Sequence, residues 1–245
     1  MPVAVLARRA DRLEALCAQI EREGGRAIAV PGSVERREDN ERLVARTVEA
    51  FGSIYSVFAN AGYSLEEPCV DMADETIRRM FEVNFFGSLE LVRLGLDRMR
   101  EAGRGHAIFC SSCISKVTMA RYGCYSATKA CQDQFARSMR LELRGTGMHV
   151  SSVHPIGTRT ELFEAKRAAG GEPEAVPNHS PDWMMQSPER VAGAVVRCLR
   201  RPRGEVWTST LTRTAMGLGV MMPGFADWVL SRMVKFEEPP AGAGG

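Results

Sequence analysis

HAIFCSSCISKVTMARYGCYSATKACQDQFARSMRLELRGTGMHVSSV, residues 106–153, is the stretch on which the fold turns. It opens with a short apolar run at 106–110 and crosses a Ser/Cys loop. A helical pattern follows over about 122–144, and a second apolar run at 149–153 closes it. Strand, long helix and strand in this order read as a right-handed crossover between parallel strands. The same alternation continues in both directions. Toward the N-terminus, strands are predicted at 3–6, 27–30 and 54–59. Helices fall at 11–23, with Leu13, Leu16, Cys17 and Ile20 on one face, and at 38–51, with Leu43, Val44, Thr47 and Val48 inward. A long helix runs from about Asp74, taken as its cap, to Arg100. Toward the C-terminus, Ser187-Pro188-Glu189 starts a helix that ends at Arg200, and 205–208 is a last short strand. The strands are apolar throughout, as in sheets covered on both faces. The fold class is therefore α/β: a Rossmann-like, doubly wound parallel sheet with helices on both faces. Such sheets bind ligands beyond the carboxyl ends of their strands, which directs attention to the loops at 7–11, 60–62, 111–125 and 155–187.

Composition narrows the function classes. The chain has 245 residues, 44% hydrophobic and 25% charged, enough for one sizeable core and ordinary for a globular protein. Its formal charge of +2 leaves no electrostatic footprint for nucleic acid. The longest uncharged stretch, 50–65, is short of the roughly 20 apolar residues of a spanning helix. Arg8, Arg9, Asp11 and Arg12 stand where a signal peptide needs an apolar core, and the seven cysteines are scattered, so the expected compartment is the cytoplasm. Cys110 and Cys113 form a C-x-x-C, read as two small core or loop residues. A zinc site needs a second pair at matching spacing and only His106 lies nearby, so no metal is expected.

The chemistry concentrates in Tyr125-Ser126-Ala127-Thr128-Lys129. Residues four apart share one helical face, so a phenol and an ammonium point into the same space. The ammonium should favour the phenolate and draw the phenol below its usual value near 10, toward a range useful for proton transfer. Ser111-Ser112 follows a strand, Asn60-Ala61-Gly62 ends another, and Asn84 lies in Glu82-Val83-Asn84-Phe85-Phe86-Gly87 within the long helix. Together these elements resemble the short-chain dehydrogenase/reductase family over residues 3–208.

The resemblance implies a role for each position. Tyr125 would be the general acid in reduction, Lys129 would lower its pKa and bind the nicotinamide ribose, and Ser112 would orient the substrate oxygen. Asn84 would anchor a water that relays the proton. Asn60, Ala61 and Gly62 would pass close to the cofactor. Pro155 and Thr160 match the family segment Pro-Gly-x-Val/Ile-x-Thr after the sixth strand, whereas Ile156 departs from it, and Thr158 stands where a backbone contact to the carboxamide, which survives the change of side chain, is implied. Arg8 ends the strand that meets the adenosine ribose. With no acid before Asp11 it would accept a 2′-phosphate, so NADP(H) is expected over NAD(H). Ser33-Val34 replaces the usual Asp-Val.

The family also opens with a strand and a Thr-Gly-x-x-x-Gly-x-Gly turn that cradles the pyrophosphate. No such motif occurs in this sequence, and Met1 falls just before the strand that the family counts second. The expectation is a sheet without its first strand, in which two interior strands lose a ladder partner. Residues 1–209 would form this N-terminally incomplete Rossmann-type domain. Residues 210–245 would add a helical hairpin, broken at Pro223-Gly224, and a flexible tail. The segment 159–186, with Phe163, Trp183, Met184 and Met185, would form a lid over a largely apolar carbonyl or alcohol substrate. A homo-oligomer is expected. Two rivals accompany the oxidoreductase reading. One is an inert homologue serving as a binding or assembly protein. The other is a sugar-nucleotide epimerase or dehydratase, which would want a larger C-terminal domain.

Overall fold

The computed structural model describes residues 1–159 and 185–233. The expected alternation is present: β1 (Val3–Ala7), α1 (Ala10–Arg22), β2 (Ala27–Pro31), α2 (Arg37–Phe51), β3 (Ser56–Ala59), α3 (Asp74–Phe81), α4 (Gly87–Glu101), β4 (Gly105–Cys110), α5 (Gly123–Glu142), β5 (Met148–His154), α6 (Pro188–Arg200), β6 (Glu205–Trp207), α7 (Thr210–Met221) and α8 (Pro223–Met233). Ser187 caps α6, its hydroxyl accepting from the Arg190 N–H, with Pro188 in the first turn. Asp74 does not cap α3. Ala73 holds the cap position without a side-chain bond, and Asp74 and Glu75 lie in the first turn, where the helix dipole favours acids.

The long helix is not continuous α-helix. A π turn over Glu82–Phe86 separates α3 from α4 and carries Asn84 at its centre. Such single-turn π insertions concentrate at functional sites. The sequence could not show it, because local periodicity is almost the same with or without one extra residue.

All strand pairs are parallel. They form two sheets, β1-β2 and β3-β4-β5-β6. Among the described residues β1 and β3 each have one ladder neighbour, which matches the expectation of a sheet lacking a strand. The exposure pattern agrees: Val3 and Phe58 are 39% and 38% exposed, although strands in a doubly covered sheet hide both faces. The sheets are coupled through α2, which packs on β1, β2 and α4. Asn40 of α2 donates to the Val34 carbonyl at 2.9 Å. A Cβ at Gly87 would collide with that same carbonyl, so glycine lets α4 approach the segment after β2.

The main core lies between β3, β4, β5 and the helices α2, α4 and α5, around Val57, Val92, Leu96, Met99, Phe109 and Val150. Side chains of this size contribute about 1.5–3 kcal/mol each when fully buried. At the C-terminus the hairpin forms, with the break at Met222 and Pro223 opening α8. Leu211, Met221, Phe225 and Trp228 remain more than half exposed. Among the described residues no helix is long and apolar enough to cross a membrane. Thr160, most of the expected lid with Phe163, Trp183 and Met184, and the tail after Met233 lie outside the described residues.

Candidate active site

The residues singled out by sequence lie on the loops at the carboxyl ends of the strands and on the start of α5. Tyr125 and Lys129 share a face of α5, with the Lys129 Nζ 5.6 Å from the centre of the Tyr125 ring. Ser111 and Ser112 follow β4 directly. The buried Ser111 hydroxyl donates to the Lys129 carbonyl at 3.0 Å and pins α5 to the end of the strand. Ser112 is in extended backbone, and its hydroxyl accepts from the Ile114 N–H at 3.4 Å.

Lys129 is 4% exposed. Its ammonium donates to the Cys110 carbonyl at 2.7 Å and to Gln132 Oε1 at 3.2 Å. Burial draws its pKa down, opposed by the Cys110 thiol. Burial pushes the Tyr125 phenol up, the Cys110 thiol adds to the rise, and Ser112 works against it. The shared face is as expected, but the depression of the phenol by Lys129 is not found. The low dielectric around both groups penalises each charged form and outweighs their mutual effect.

Asn84 is fully buried. Its Oδ1 accepts from the Tyr63 N–H at 2.9 Å, and its Nδ2 donates to the Tyr63 carbonyl at 2.8 Å and to Thr128 Oγ1 at 3.1 Å. The amide thus locks the chain after Gly62 to α5. A Cβ at Gly62 would come within 3.0 Å of Asn84 Oδ1 and 3.4 Å of Lys129 Nζ, so glycine keeps this corner open. The Asn84 carbonyl accepts from Gln132 Nε2 at 2.5 Å.

Asn60, Ala61 and Gly62 are exposed, as is Arg8 after β1. Burial raises the Tyr63 phenol, and the positive charges of Arg79 and, least of the causes, Arg8 work against the rise. Thr158 donates through its hydroxyl to the Ile156 carbonyl at 2.8 Å and accepts from Gln186 Nε2 at 3.1 Å. Its bridge to Gln186 uses the Gly157 carbonyl and the Arg159 N–H. Thr158's own peptide groups take no part in that bridge.

Behind Ser112 lies a buried charged network that the sequence reading missed. The Lys116 ammonium pairs with Asp133 at 2.6 Å and Glu205 at 3.0 Å. Asp133 also accepts from the Ser152 hydroxyl at 2.8 Å and lies 3.4 Å from His154 Nε2. His154 Nδ1 is 3.1 Å from the Ser112 carbonyl, which can only accept, so that nitrogen donates. Burial alone would raise the Asp133 carboxyl. Hydrogen bonds from His154 and Lys116, the electrostatic effect of His154 and the hydrogen bond from Ser152 hold it well below the usual range. Asp133, His154 and Glu205 offer three ligand atoms within 4.8 Å of one another, but the Lys116 ammonium is already paired with both carboxylates.

A nicotinamide nucleotide is the cofactor that the residues suggest, and the donor set fits its sugar end. An ammonium has three donors. Among the described residues two of those on Lys129 are engaged with protein carbonyl groups, which leaves one for a ribose hydroxyl. Arg8, after β1, is exposed, and the open corner at Gly62 borders Lys129 Nζ.

Against this geometry, residues 1–170 match the family profile described as short chain dehydrogenase. The chain belongs to the short-chain dehydrogenase/reductase family, NAD(P)-dependent oxidoreductases that act between CH–OH and C=O groups. It is 31% identical over 180 residues to the L-rhamnose 1-dehydrogenase (NAD(P)(+)) of a Sphingomonas species, covering 73% of this chain and 71% of that one. It is 28% identical over 232 residues to the ketoacyl reductase HetN of a Nostoc species, covering 92% and 78%. A short-chain dehydrogenase from Streptomyces avermitilis superposes with a TM-score of 0.75 at 24% identity, covering 96% of this chain and 89% of that one, a likeness of fold.

Proposed function

We propose that this protein reduces a carbonyl compound, or oxidises the corresponding secondary alcohol, with a preference for NADP(H). The observation that carries the reading is the convergence of Ser112, Tyr125 and Lys129 at the carboxyl end of β4. Ser112 holds and orients the substrate oxygen. Tyr125 gives that oxygen its proton in reduction and takes it back in oxidation. Lys129 binds the ribose through its remaining donor and keeps a positive charge near the oxygen that gains charge. The cofactor, when bound, supplies or accepts the hydride. Arg8 pairs with a 2′-phosphate, because a guanidinium matches phosphate geometry through two parallel bonds. Asn60, Ala61, Gly62, Pro155 and Thr158 border the cofactor, with Thr158 offering its backbone.

The apolar side chains within 159–186 support a largely apolar substrate. The exposed apolar face of α7 and α8 supports a homo-oligomer, and residues 210–245 are proposed as an appendage to the domain at 1–209. The cysteines within the described residues are all free thiols, which supports a reducing compartment such as the cytoplasm. The test is turnover of a panel of ketones and aldehydes by the purified chain with NADPH and NADH. Tyr125→Phe should lower kcat by about a hundredfold or more, the scale of a lost general acid, with an unchanged circular dichroism spectrum. An active Phe variant overturns the assignment, and an absence of turnover by the unmodified chain favours the inert rival.

A further inference from the structure

We propose that Gln132 is a positioning residue whose buried amide bridges the Lys129 ammonium to the Asn84 carbonyl and so fixes where the charge stands beneath Tyr125. The inference rests on the reading of Tyr125 and Lys129 given above and assigns a residue which that reading does not use.

Gln132 lies one turn beyond Lys129 on α5 and is fully buried. Its Nε2 donates to the Asn84 carbonyl and, at 3.2 Å, to the Ser88 hydroxyl. Its Oε1 accepts from Lys129 Nζ at 3.2 Å. The Asn84 carbonyl can only accept, and the ammonium can only donate. The two ends of the bridge therefore dictate a single orientation of the amide. The π turn contributes the other half, since Asn84 sits at its centre and presents its carbonyl to α5. A lysine has a flexible four-carbon stem. Here its tip is held from two sides, by the end of β4 through Cys110 and by the π turn through Gln132. Among the described residues, the titratable groups facing Lys129 are Tyr125 on its own helix and Cys110 from β4. The π turn presents a neutral amide and carbonyl, and the loop after β3 presents Gly62.

An amide neither releases nor takes up a proton near neutral pH. The bridge therefore supports the ammonium and does not conduct a proton between Lys129 and Asn84. This gives an ordering of variants that packing alone would not. Gln132→Ala leaves a space bordered by Lys129 Nζ, the Asn84 carbonyl and Ser88 Oγ, three polar partners of the kind that hold a buried water. Gln132→Leu fills the space with carbon and strands two of those groups. If Gln132 were only filler, the larger cavity would make Ala the worse variant.

The test uses the chain labelled with ¹³C and ¹⁵N in lysine. The sequence holds four lysines, Lys116, Lys129, Lys166 and Lys235, and the Lys129 signal is identified by its loss in Lys129→Met. Gln132→Leu should shift that signal and move its titration to lower pH, with kcat lowered roughly tenfold, the scale of stranding a buried polar group, and KM little changed. Gln132→Ala should change each readout in the same direction and by less. If Gln132→Leu does not fold, Gln132→Met, apolar and equally long, carries the same expectation. A Lys129 signal and kcat in the apolar variant equal to the unmodified chain, or a greater effect in Ala than in Leu, overturns the proposal. If the chain turns over no carbonyl substrate, the functional reading fails while the lysine spectra still decide the bridge.

Discussion

Replacing Asp133 by Asn removes one charge from the buried network while keeping the side chain's shape. The Asp133 side chain is 4% exposed, and its partners are the Lys116 ammonium at 2.6 Å, the Ser152 hydroxyl at 2.8 Å and His154 Nε2 at 3.4 Å. Asn offers one acceptor where the carboxylate offers two, so it cannot serve both Lys116 and the Ser152–His154 pair. Breaking a buried ion pair costs about 3–5 kcal/mol. Two features reduce that figure here: Lys116 is 23% exposed and keeps Glu205 at 3.0 Å. We expect a loss of about 2–3 kcal/mol, a large share of the roughly 5–15 kcal/mol that holds a domain folded. Urea unfolding followed by circular dichroism should show a midpoint lower by about 1 M with an unchanged slope. The pH dependence has a definite sign. The carboxyl titrates lower in the folded chain than its unfolded value near 3.9. Its contribution is therefore complete above that value and is lost as pH falls from there through the folded pKa. The gap between the two midpoints should stay constant from about pH 5 to 8 and narrow below about pH 4. A shift under about 0.3 M at pH 7, or a gap that persists undiminished in acid, would refute the account of the network as a source of stability.

Two further outcomes follow from the groups at the sheet edge. Arg8→Ala should weaken NADP(H) binding by about ten- to a hundredfold, the value of a charged hydrogen bond, and leave NAD(H) nearly unaffected; equal losses for both, measured by fluorescence titration, would remove Arg8 from the 2′-phosphate. Because Tyr125 is pushed up by burial, the phenol carries its proton at neutral pH, so kcat/KM for reduction should be flat there while kcat/KM for alcohol oxidation climbs through the alkaline range; oxidation already at its plateau at pH 7 would show that the phenol is not the proton acceptor.

What the sequence made legible was what local pattern controls. The strand–helix order, the Ser187 cap and the shared face of Tyr125 and Lys129 all rest on periodicity or on a residue's own neighbours, and they stand in the structure. The π turn was illegible because its cause is tertiary: the Asn84 amide locks onto Tyr63 and Thr128, distant in sequence. The expected effect of Lys129 on the phenol failed for a related reason. Spacing places two groups together but says nothing of how dry that place is. Ser151 and Ser152 passed as part of an apolar strand and His154 stood just beyond it, yet all three are fully buried and hydrogen-bonded, the ordinary fate of polar groups in a core. Gln132 carried a faint signal, an amide one turn from Lys129, with nothing to show what stood opposite.

The helix α5 joins these observations. With 3.6 residues per turn, positions 125, 129 and 132 fall along one side of the helix, where Tyr125, Lys129 and Gln132 meet β4 and the π turn. Position 133 is rotated about 100° from 132, and there Asp133 turns to β5 and Lys116. The same turn of helix thus holds the ammonium from one side and anchors the network from the other. That network reaches back to the loop after β4. His154 donates to the Ser112 carbonyl, Ser115 lies 3.3 Å from His154 Nδ1, and the Cys113 N–H donates to the Pro155 carbonyl at 3.0 Å. In the proposed reaction Ser112 and Tyr125, which come from different elements, must be registered to a fraction of an ångström to act on one substrate oxygen. Asp133 ties the helix that carries Tyr125 to the strand that holds the Ser112 loop. If Ser112 and Tyr125 act together as proposed, loss of the Asp133 charge should weaken catalysis as well as stability.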